Sequence, residues 1–573
     1  MPLVLVTADP DRAGDAVLRE AADVGAAARG DLGDPRHVAG EALAAEIAAR
    51  EAADRPRWVW DDTEHWYPAL LAAGVRVERC HDLRLCHTIL RRSTRCVGTE
   101  IATAPIGPWD TAPAAPAGLP GGSGVPGAPG EPVAQSLFDD LPAEAPERPL
   151  DVADELRRQL ASMVQAEDDG RLRLLLAAES VGALIAAEMR FDGMPWRSDL
   201  HDALLTGLLG PRPAEGVRPA RLQELADRIA AALDRPGVNP DSQPDLLRAL
   251  RAAGLEVEST RRHEIGALDH PVVAPLLEYK KLARLLSANG WAWMERWASG
   301  GRFRPDYVPG GVVTGRWASS GGGALQLPTQ IRAAVRPDPG HLLVVADAAQ
   351  LEPRVLAAMS GDGAMATAGQ HADLYAGVVQ AGIVQTRQEA KYAMLGAIYG
   401  ATTGASAALM PQLTRAYPQA VAVVEAAARA GERGEQVTTW LGRSSPRPSA
   451  AWLADRQAAS AEGAAPEEVR VARRRSRDWG RFTRNFVVQG TAAEWALCWM
   501  GLLRLRLAEL PGRPHLVLFL HDEVMVHAPE DVAGQVAEAV RESAVEAGRL
   551  LFGGTAVEFA LDVSVVDSYA DAQ

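Results

Sequence analysis

The chain has 573 residues, 47% of them hydrophobic and 23% charged, with a formal net charge of −15. This is a globular composition, long enough for three or four domains with substantial cores. The acidic balance excludes a protein that is basic over its whole surface, as a histone is, but leaves room for one local basic surface that meets nucleic acid.

The start MPLVLVTADPDR is a short apolar run closed by charge, without a signal-peptide pattern, and no 18-residue apolar stretch is read further on. VLVTA reads as a buried strand, followed by alanine-rich helical text to about residue 53. RWVWDD (57–62) is a second strand, and GVRVERCHDLRLCHTIL (74–90) suggests strand then helix. Strands alternating with helices predict a small α/β domain ending near residue 105. Cys80, His81, Cys86 and His87 fall inside it, but their spacing matches no paired zinc motif. With Cys96 and Cys498 they are the only four cysteines, too few for a disulfide scaffold, so a reducing cytoplasm is expected.

From 106 to 147 the text turns Pro, Ala and Gly rich, which predicts a flexible linker without a core. Residues 151–300 read as helical, with amphipathic patterns in DVADELRRQLASMVQ and ARLQELADRIAAAL. Beyond them, short strands alternate with longer helices. HLLVVADAAQ (341–350) is an apolar strand that ends on an acid. HLVLFLHDEVMVHAP (515–529) is an apolar run broken at its middle by His521, Asp522 and Glu523. VEFALDVSVVD (557–567) alternates like a half-buried closing strand.

Carboxylates rarely sit in strands this apolar unless they are paired or hold a cation. If the strands are neighbours, Asp347 and Asp522 converge at one sheet edge. Oxygen ligands of this type suit Mg²⁺ or Mn²⁺, with waters and substrate phosphates completing the shell. The reading open at this point is two unrelated strand-end acids. Between them, RQEAKYAMLGAIY (387–399) places Arg387, Lys391, Leu395 and Tyr399 at steps of four along one drifting helix face. Of the 59 basic residues only Lys280, Lys281 and Lys391 are lysines. A lysine kept mid-helix in so arginine-rich a chain suggests a point charge that reaches a phosphate. TGRWASSGGGALQLP (314–328) is a turn-rich loop with Arg316 and Gln326. RFTRNFVVQGTAAEWA (481–496) sets Arg481, Asn485 and Gln489 on one helical face, fit for base edges or a template backbone. Seven Arg and one Asp crowd residues 470–484, with Trp479 and Phe482 between them. That run suits DNA phosphates and bases, or is simply a solvated face. No GxSxG elbow, Walker A loop or GxGxxG fingerprint after a strand is present.

Taken together these segments resemble the family A DNA polymerases, the bacterial DNA polymerase I group. TGRWASS (314–320) with LQLP is similar to the family's thumb-to-palm motif, DAAQLEPR (347–354) to motif A, RQEAKYAMLGAIYG (387–400) to motif B, and HDE (521–523), preceded by QGTAAE (489–494), to motif C. The resemblance implies a multidomain α/β right-hand polymerase fold, with an antiparallel palm sheet, helical fingers and a helical thumb. It also implies an N-terminal RNase H-like domain of the 3′–5′ exonuclease type. The expected divisions are 1–105 for that domain, 106–147 linker, 148–300 start of palm and thumb, 301–362 palm with motif A, 363–481 fingers, and 482–573 closing palm with motif C.

The implied function is template-directed addition of dNTPs to a primer 3′-hydroxyl, in repair or gap filling, in a cytoplasmic, nucleoid-associated protein. By resemblance, Asp347 and Asp522 hold two Mg²⁺ ions (or Mn²⁺), and Glu523 supports them. Arg387 and Lys391 bind the triphosphate, while Gln350, Leu395, Tyr399 and His521 line the nucleotide site. Glu352 is the steric gate against a ribose 2′-hydroxyl. Arg316, Gln326, Arg481, Asn485 and Gln489 contact primer or template, as His521 also does. Ala348 and Ala349 stand where Tyr-Ser is usual, Leu395 where Phe or Tyr is usual, and Ala324 where Asn is common. The expectation is looser sugar and base positioning.

Proofreading is expected to be absent, because the first strand lacks the family's Asp-x-Glu pair and leaves only Asp62, Glu64 and Asp82 as remnants. QSLFDDLP (135–142) resembles a sliding-clamp binding peptide through Leu137 and Phe138. Two alternatives stay open: a single-subunit RNA polymerase, against which Glu352 argues, and a degenerate polymerase kept as a DNA-binding scaffold.

Overall fold

The computed structural model describes residues 1–110 and 150–572, apart from 168, 324, 326, 371–372 and 401–403. The segment QSLFDDLP lies outside the described residues. The chain forms two compact units, one of 1–192, 306–321 and 344–565, the other of 193–305, 322–343 and 566–573.

The first unit opens with a five-stranded mixed sheet of β1 (Leu3–Ala8), β2 (Ala16–Ala21), β3 (Arg36–Val38), β4 (Arg57–Trp60) and β5 (Cys80–Asp82), in the order β3-β2-β1-β4-β5. β1 pairs antiparallel with β2 and parallel with β4, while β4 runs parallel to β5. β1 and β4 are apolar on both faces, as strands in the middle of a covered sheet must be. Val4, Val6, Trp58 and Trp60 pack with Leu43, Ile47, Leu70 and Leu184 from the covering helices.

The helical reading of residues 9–53 is corrected here. AVLREA forms β2, returning from β1 through a turn that carries Gly14 at φ +91°, and β3 follows it; only Gly40–Ala53 is a long helix. Alanine favours helix locally, but the ladder from Leu3↔Ala21 to Ala8↔Ala16 outweighs that preference. Structure also reaches into the text read as linker. Pro108–Asp110 form a 3₁₀ turn that buries Trp109, and Asp110 accepts from Arg91 Nε at 2.9 Å.

The same unit holds a four-stranded sheet of β6 (His341–Ala348), β7 (His515–Leu520), β8 (Glu523–Pro529) and β9 (Leu561–Val566), in the order β7-β8-β6-β9. The broken apolar run 515–529 is therefore an antiparallel hairpin, with His521 and Asp522 as its two-residue loop between Leu520 and Glu523. His521 has φ +61°, the positive value that such tight loops call for at their first position.

Behind this sheet runs the 44-residue helix Pro466–Glu509. The 481/482 boundary expected between fingers and palm falls inside it, and the helix passes unbroken. Gly480 lies within it where an added Cβ would stand 2.9 Å from Ala428 O, so the bare backbone allows the helix Pro418–Arg433 to pack closely. The long helix Pro466–Glu509 carries no unbroken run of 18 apolar residues, as expected. This helix has a window apolar enough to cross a membrane by length and composition, but 89% of it is buried within the protein. It is a core helix.

The second unit is mainly helical, with Ser198–Leu209, Ala220–Ala232, Gln243–Ala252, Val273–Asn289 and Trp291–Trp297 among its helices. Trp196, His201, Trp293 and Phe303 meet ring to ring in its core, with centroids 5.2–5.9 Å apart.

Candidate active site

The hairpin loop and the end of β6 bring the two strand acids together. The amide of Ala348 donates to the carbonyl of Asp522 at 3.0 Å, so Asp347 lies one residue from the point where its strand meets the Asp522 loop. Both side chains are half-buried, as is Glu523. Burial pushes the Asp522 carboxyl up to about 6; its own amide and Arg316 pull it down, and Glu352 and Glu523 add to the rise. An acid this reluctant to ionise sits in a field short of positive charge, and a divalent cation reverses that. The donor set therefore fits Mg²⁺ or Mn²⁺ bound by Asp347 and Asp522. Among the described residues no three His, Cys, Asp or Glu side chains gather into a cage, so water and substrate oxygens would complete the shell.

Beside the acids, the helix Leu351–Ser360 presents Glu352. Glu352 forms an ion pair with Arg316 and accepts a hydrogen bond from Tyr399 Oη at 2.8 Å. Gln489 Nε2 in turn reaches Tyr399 Oη at 3.4 Å. Four residues singled out from separate motifs thus form one chain of contacts. Gln350 has φ +50°, and its Oε1 accepts from the Leu374 amide at 3.0 Å, which ties the start of this helix to the helix Leu374–Gln380 rather than leaving that oxygen open to a ligand. His521 sits at the hairpin tip with much of its surface open to solvent, yet the protein atoms around its ring desolvate it enough to push its pKa down, with Arg316 adding to the fall.

The helix Arg387–Tyr399 begins at a capping box, with Glu389 N–H donating to Thr386 Oγ1 at 3.2 Å and Glu389 Oε2 accepting from Thr386 N at 2.9 Å. It ends at Gly400, in the left-handed region at φ +68°. Ala390, Ala393, Met394, Ala397 and Ile398 face inward, which turns Arg387, Lys391 and Tyr399 to solvent and leaves Leu395 half-buried. Arg387 is held by Asp373 at 2.5 Å and lies over the Tyr375 ring, 5.6 Å from its centroid. Lys391 forms no ion pair with the described residues.

On the long helix Arg481 is exposed and pairs with Asp478, while Asn485 and Gln489 are half-buried. The Oδ1 of Asn485 is buried without a hydrogen-bond partner, an acceptor that a ligand could use. Gln326 and Ala324 lie outside the described residues.

Sequence reasoning missed the groups that hold this arrangement in place. Arg354 is fully buried and donates to the carbonyls of Ala349 (2.8 Å), Gly369 (2.7 Å) and Glu558 (2.6 Å), fixing the turn that follows Asp347. Arg484 donates to Ala397 O at 3.2 Å and pairs with Glu425, anchoring the end of the 387–399 helix. Arg443 and Glu179 form a buried ion pair, and Gly315 (φ +87°) passes so close that a Cβ would stand 2.6 Å from Arg443 Nε. For Arg354 and Glu179 the one signal in the sequence was a charged side chain in largely apolar text; Arg443 and Arg484 carried none.

In the N-terminal sheet the acids have other employment. Asp62 caps the helix Thr63–Ala72 and lies 3.4 Å from Arg84. Glu64 faces Arg190 at 3.6 Å. Asp82 accepts from Thr63 N (2.8 Å), Thr63 Oγ1 (2.7 Å) and Leu85 N (3.0 Å). His81 bonds Gln159 at 2.8 Å through Nε2 and meets Cys86 Sγ at 3.8 Å through Nδ1, while His87 lies between Glu155 (2.8 Å) and Asp110 (3.3 Å); among the described residues these side chains form no group of three that could hold a metal.

Residues 219–571 match the model of DNA polymerase family A. The DNA polymerase I of Chloroflexus aurantiacus is 28% identical over 347 residues, 56% of this chain and 34% of that protein. The thermostable DNA polymerase I of Thermus thermophilus is 28% identical over 304 residues, 48% of this chain and 34% of that protein. The chain thus covers about a third of the length of these curated relatives. Among solved structures, the POL domain of Pol1 from M. smegmatis, in complex with DNA primer-template and dNTP, superposes with a TM-score of 0.63. The match covers 100% of this chain and 95% of that one at 18% identity, a likeness of fold.

Proposed function

The chain belongs to DNA polymerase family A, and from that premise we propose that it is a template-directed DNA polymerase, filling gaps or acting in repair without proofreading. The observation that carries this is the meeting of Asp347 and Asp522 beside the Arg316–Glu352–Tyr399–Gln489 contacts. Asp347 and Asp522 would hold the divalent cations, with Glu523 beside them. The chemistry supplied by bound Mg²⁺ (or Mn²⁺) is activation of a 3′-hydroxyl and neutralisation of charge on a leaving pyrophosphate.

The remaining roles belong to the chain's own side chains. Lys391 and Arg387 bind the triphosphate, and their charge counts most as negative charge moves to the leaving group. For Arg387 this means exchanging Asp373 for phosphate. Glu352, braced by Arg316 and Tyr399, stands against a ribose 2′-hydroxyl, which favours a DNA over an RNA polymerase. Leu395 offers no ring beneath the sugar. Gln350 and His521 border the nucleotide, while Arg316, Arg481, Asn485 and Gln489 meet primer or template. The N-terminal unit is an exonuclease-type domain whose remaining acids act as caps and ion-pair partners. The protein would work on cytoplasmic, nucleoid DNA.

Primer extension with Mg²⁺ or Mn²⁺ tests the reading: wild type extends a primed template with dNTPs, and Asp347→Ala does not. Failure of wild type on every primed template would favour a binding scaffold instead. Leu395→Phe sharpens discrimination against ddNTPs and rNTPs in steady-state incorporation; unchanged ratios would dismiss the role given to Leu395. Metal-dependent shortening of a mismatched 3′ end that survives Asp347→Ala would restore proofreading.

A further inference from the structure

The helix Pro466–Glu509 carries Arg470, Arg473, Arg474, Arg477 and Arg481 at i, i+3, i+4, i+7 and i+11, the spacing that sets side chains on one helix face. All five are exposed. Further along, the helix enters the core: Thr483 Oγ1 donates to Ala427 O at 2.8 Å, Gly480 lies against Ala428 and Arg484 is buried against Glu425, so the exposed stripe belongs mainly to the turns before Gly480. Arg470 pairs with Glu467, and Arg481 with Asp478. Arg473, Arg474 and Arg477 have no acidic partner among the described residues. In a chain of net charge −15, three adjacent uncompensated guanidinium groups are a local exception.

The stripe also has a direction. Gln489, which touches Tyr399 at the candidate site, lies on the same helix. At 1.5 Å per residue, Arg481 is about 12 Å and Arg473 about 24 Å from Gln489 along the axis. The face therefore leads away from the catalytic acids, starting from the residues placed at the template.

We propose that Arg473, Arg474 and Arg477 bind the phosphodiester backbone of the template strand ahead of the site, before it is copied. This rests on the polymerase reading above. Closely spaced guanidinium groups without acids match a phosphate ladder, and contact with the backbone alone is indifferent to sequence, as a strand passing through requires. Phe482 and Trp479 stack on each other 4.8 Å apart on another side of the helix, so the stripe grips by charge rather than by base stacking.

The test compares wild type with the triple variant Arg473→Gln/Arg474→Gln/Arg477→Gln, whose new side chains are exposed and good helix formers. Affinity is measured by anisotropy on three primer-templates: a one-nucleotide template overhang, a ten-nucleotide overhang, and a ten-nucleotide gap closed by downstream duplex. Wild type binds the long overhang more tightly than the short one. The variant loses on the order of tenfold on the long overhang, and its slope of log affinity against log salt falls by about 2. It keeps wild-type affinity and single-nucleotide addition on the short overhang. Equal loss on the gapped DNA assigns the grip to the template strand itself, whereas a larger loss there assigns it to the backbone of the downstream duplex. Wild-type binding of the long overhang by the variant, or equal loss on the short one, overturns the proposal. Absence of extension by wild type on the short overhang would instead strike the polymerase reading, since binding is read separately.

Discussion

The two sheets of the first unit each gather acids at strand ends and put them to different use. In the N-terminal sheet Asp82 is fully buried and accepts three protein donors, Asp62 caps a helix, and Glu64 faces an arginine. In the second sheet Asp522 sits in a two-residue loop, half-buried, with Glu523 and Glu352 near enough to make its ionisation harder. Buried acids are stable when their lone pairs are filled by the fold. Burial and the neighbouring Asp62 push the Asp82 carboxyl up to about 7, as burial, Glu352 and Glu523 push up Asp522, but only Asp82 has its oxygens filled by side-chain and backbone donors of the fold. The difference between the sheets is one of donors rather than of acid count.

Asp522→Asn tests this most severely. Extension falls by at least about 10³-fold, because the carboxamide cannot replace an anionic ligand. Stability holds or rises, since the carboxylate it replaces ionises unwillingly in the folded protein. A loss of stability alongside activity would show that Asp522 belongs with Asp82 as a structural acid.

Next in size is Lys391→Ala. The N-terminal cations Arg84 and Arg190 face acids of the fold, whereas Lys391 has no such partner among the described residues. Its removal lowers kcat/KM for dNTP by on the order of 10²-fold and leaves primer-template affinity unchanged. Equal loss of DNA affinity would move Lys391 from nucleotide to template.

The converse of both is Asp82→Ala. It leaves Thr63 and Leu85 donors unpaired in a buried place and lowers stability by about 2–4 kcal/mol in urea unfolding. Extension per folded molecule stays at the wild-type rate. If stability is unaffected, the cap is not what Asp82 contributes.

These contrasts also mark how far the sequence could be read. Asp347 and Asp522 stood out because acids inside apolar strands are rare, and the 387–399 helix because its four-residue steps and single lysine repeat a recognisable pattern. The strands β6, β7 and β8 were legible as apolar runs. β2 was not: AVLREA has helix-forming residues, and only its pairing with β1 makes it a strand. Nor could the sequence show that Gln350 points its oxygen at the Leu374 amide, or that Arg443 meets Glu179, 264 residues away. Partners that distant leave no local trace.

The smallest effect concerns Glu494, which tests whether an unwilling acid by itself marks a site. Burial pushes its carboxyl up to about 7, against donors at Thr439 Oγ1 and the Leu441 amide (2.9 Å) and the nearby Arg443. It shares its raised pKa with both Asp522 and Asp82, and its filled lone pairs with Asp82 alone. Because the folded-state value lies above the unfolded one, the folded chain keeps this proton after the unfolded chain has released it. The stabilisation is complete below about pH 4.5 and is lost as pH rises to about 7, at roughly 1.4 kcal/mol per pH unit. Glu494→Gln keeps an acceptor for the Leu441 amide and turns an N–H toward Thr439 Oγ1, whose own hydrogen can go to Arg443 O, but it cannot titrate. The stability of wild type relative to this variant should therefore fall by on the order of 3 kcal/mol between pH 4.5 and 7 and stay level above. Extension by the variant at pH 8 should match wild type, because the group lies among donors of the fold and not with Asp347 and Asp522. Parallel stability curves would mean that Glu494 is ionised throughout, and a fall in extension would move it from the scaffold into the site.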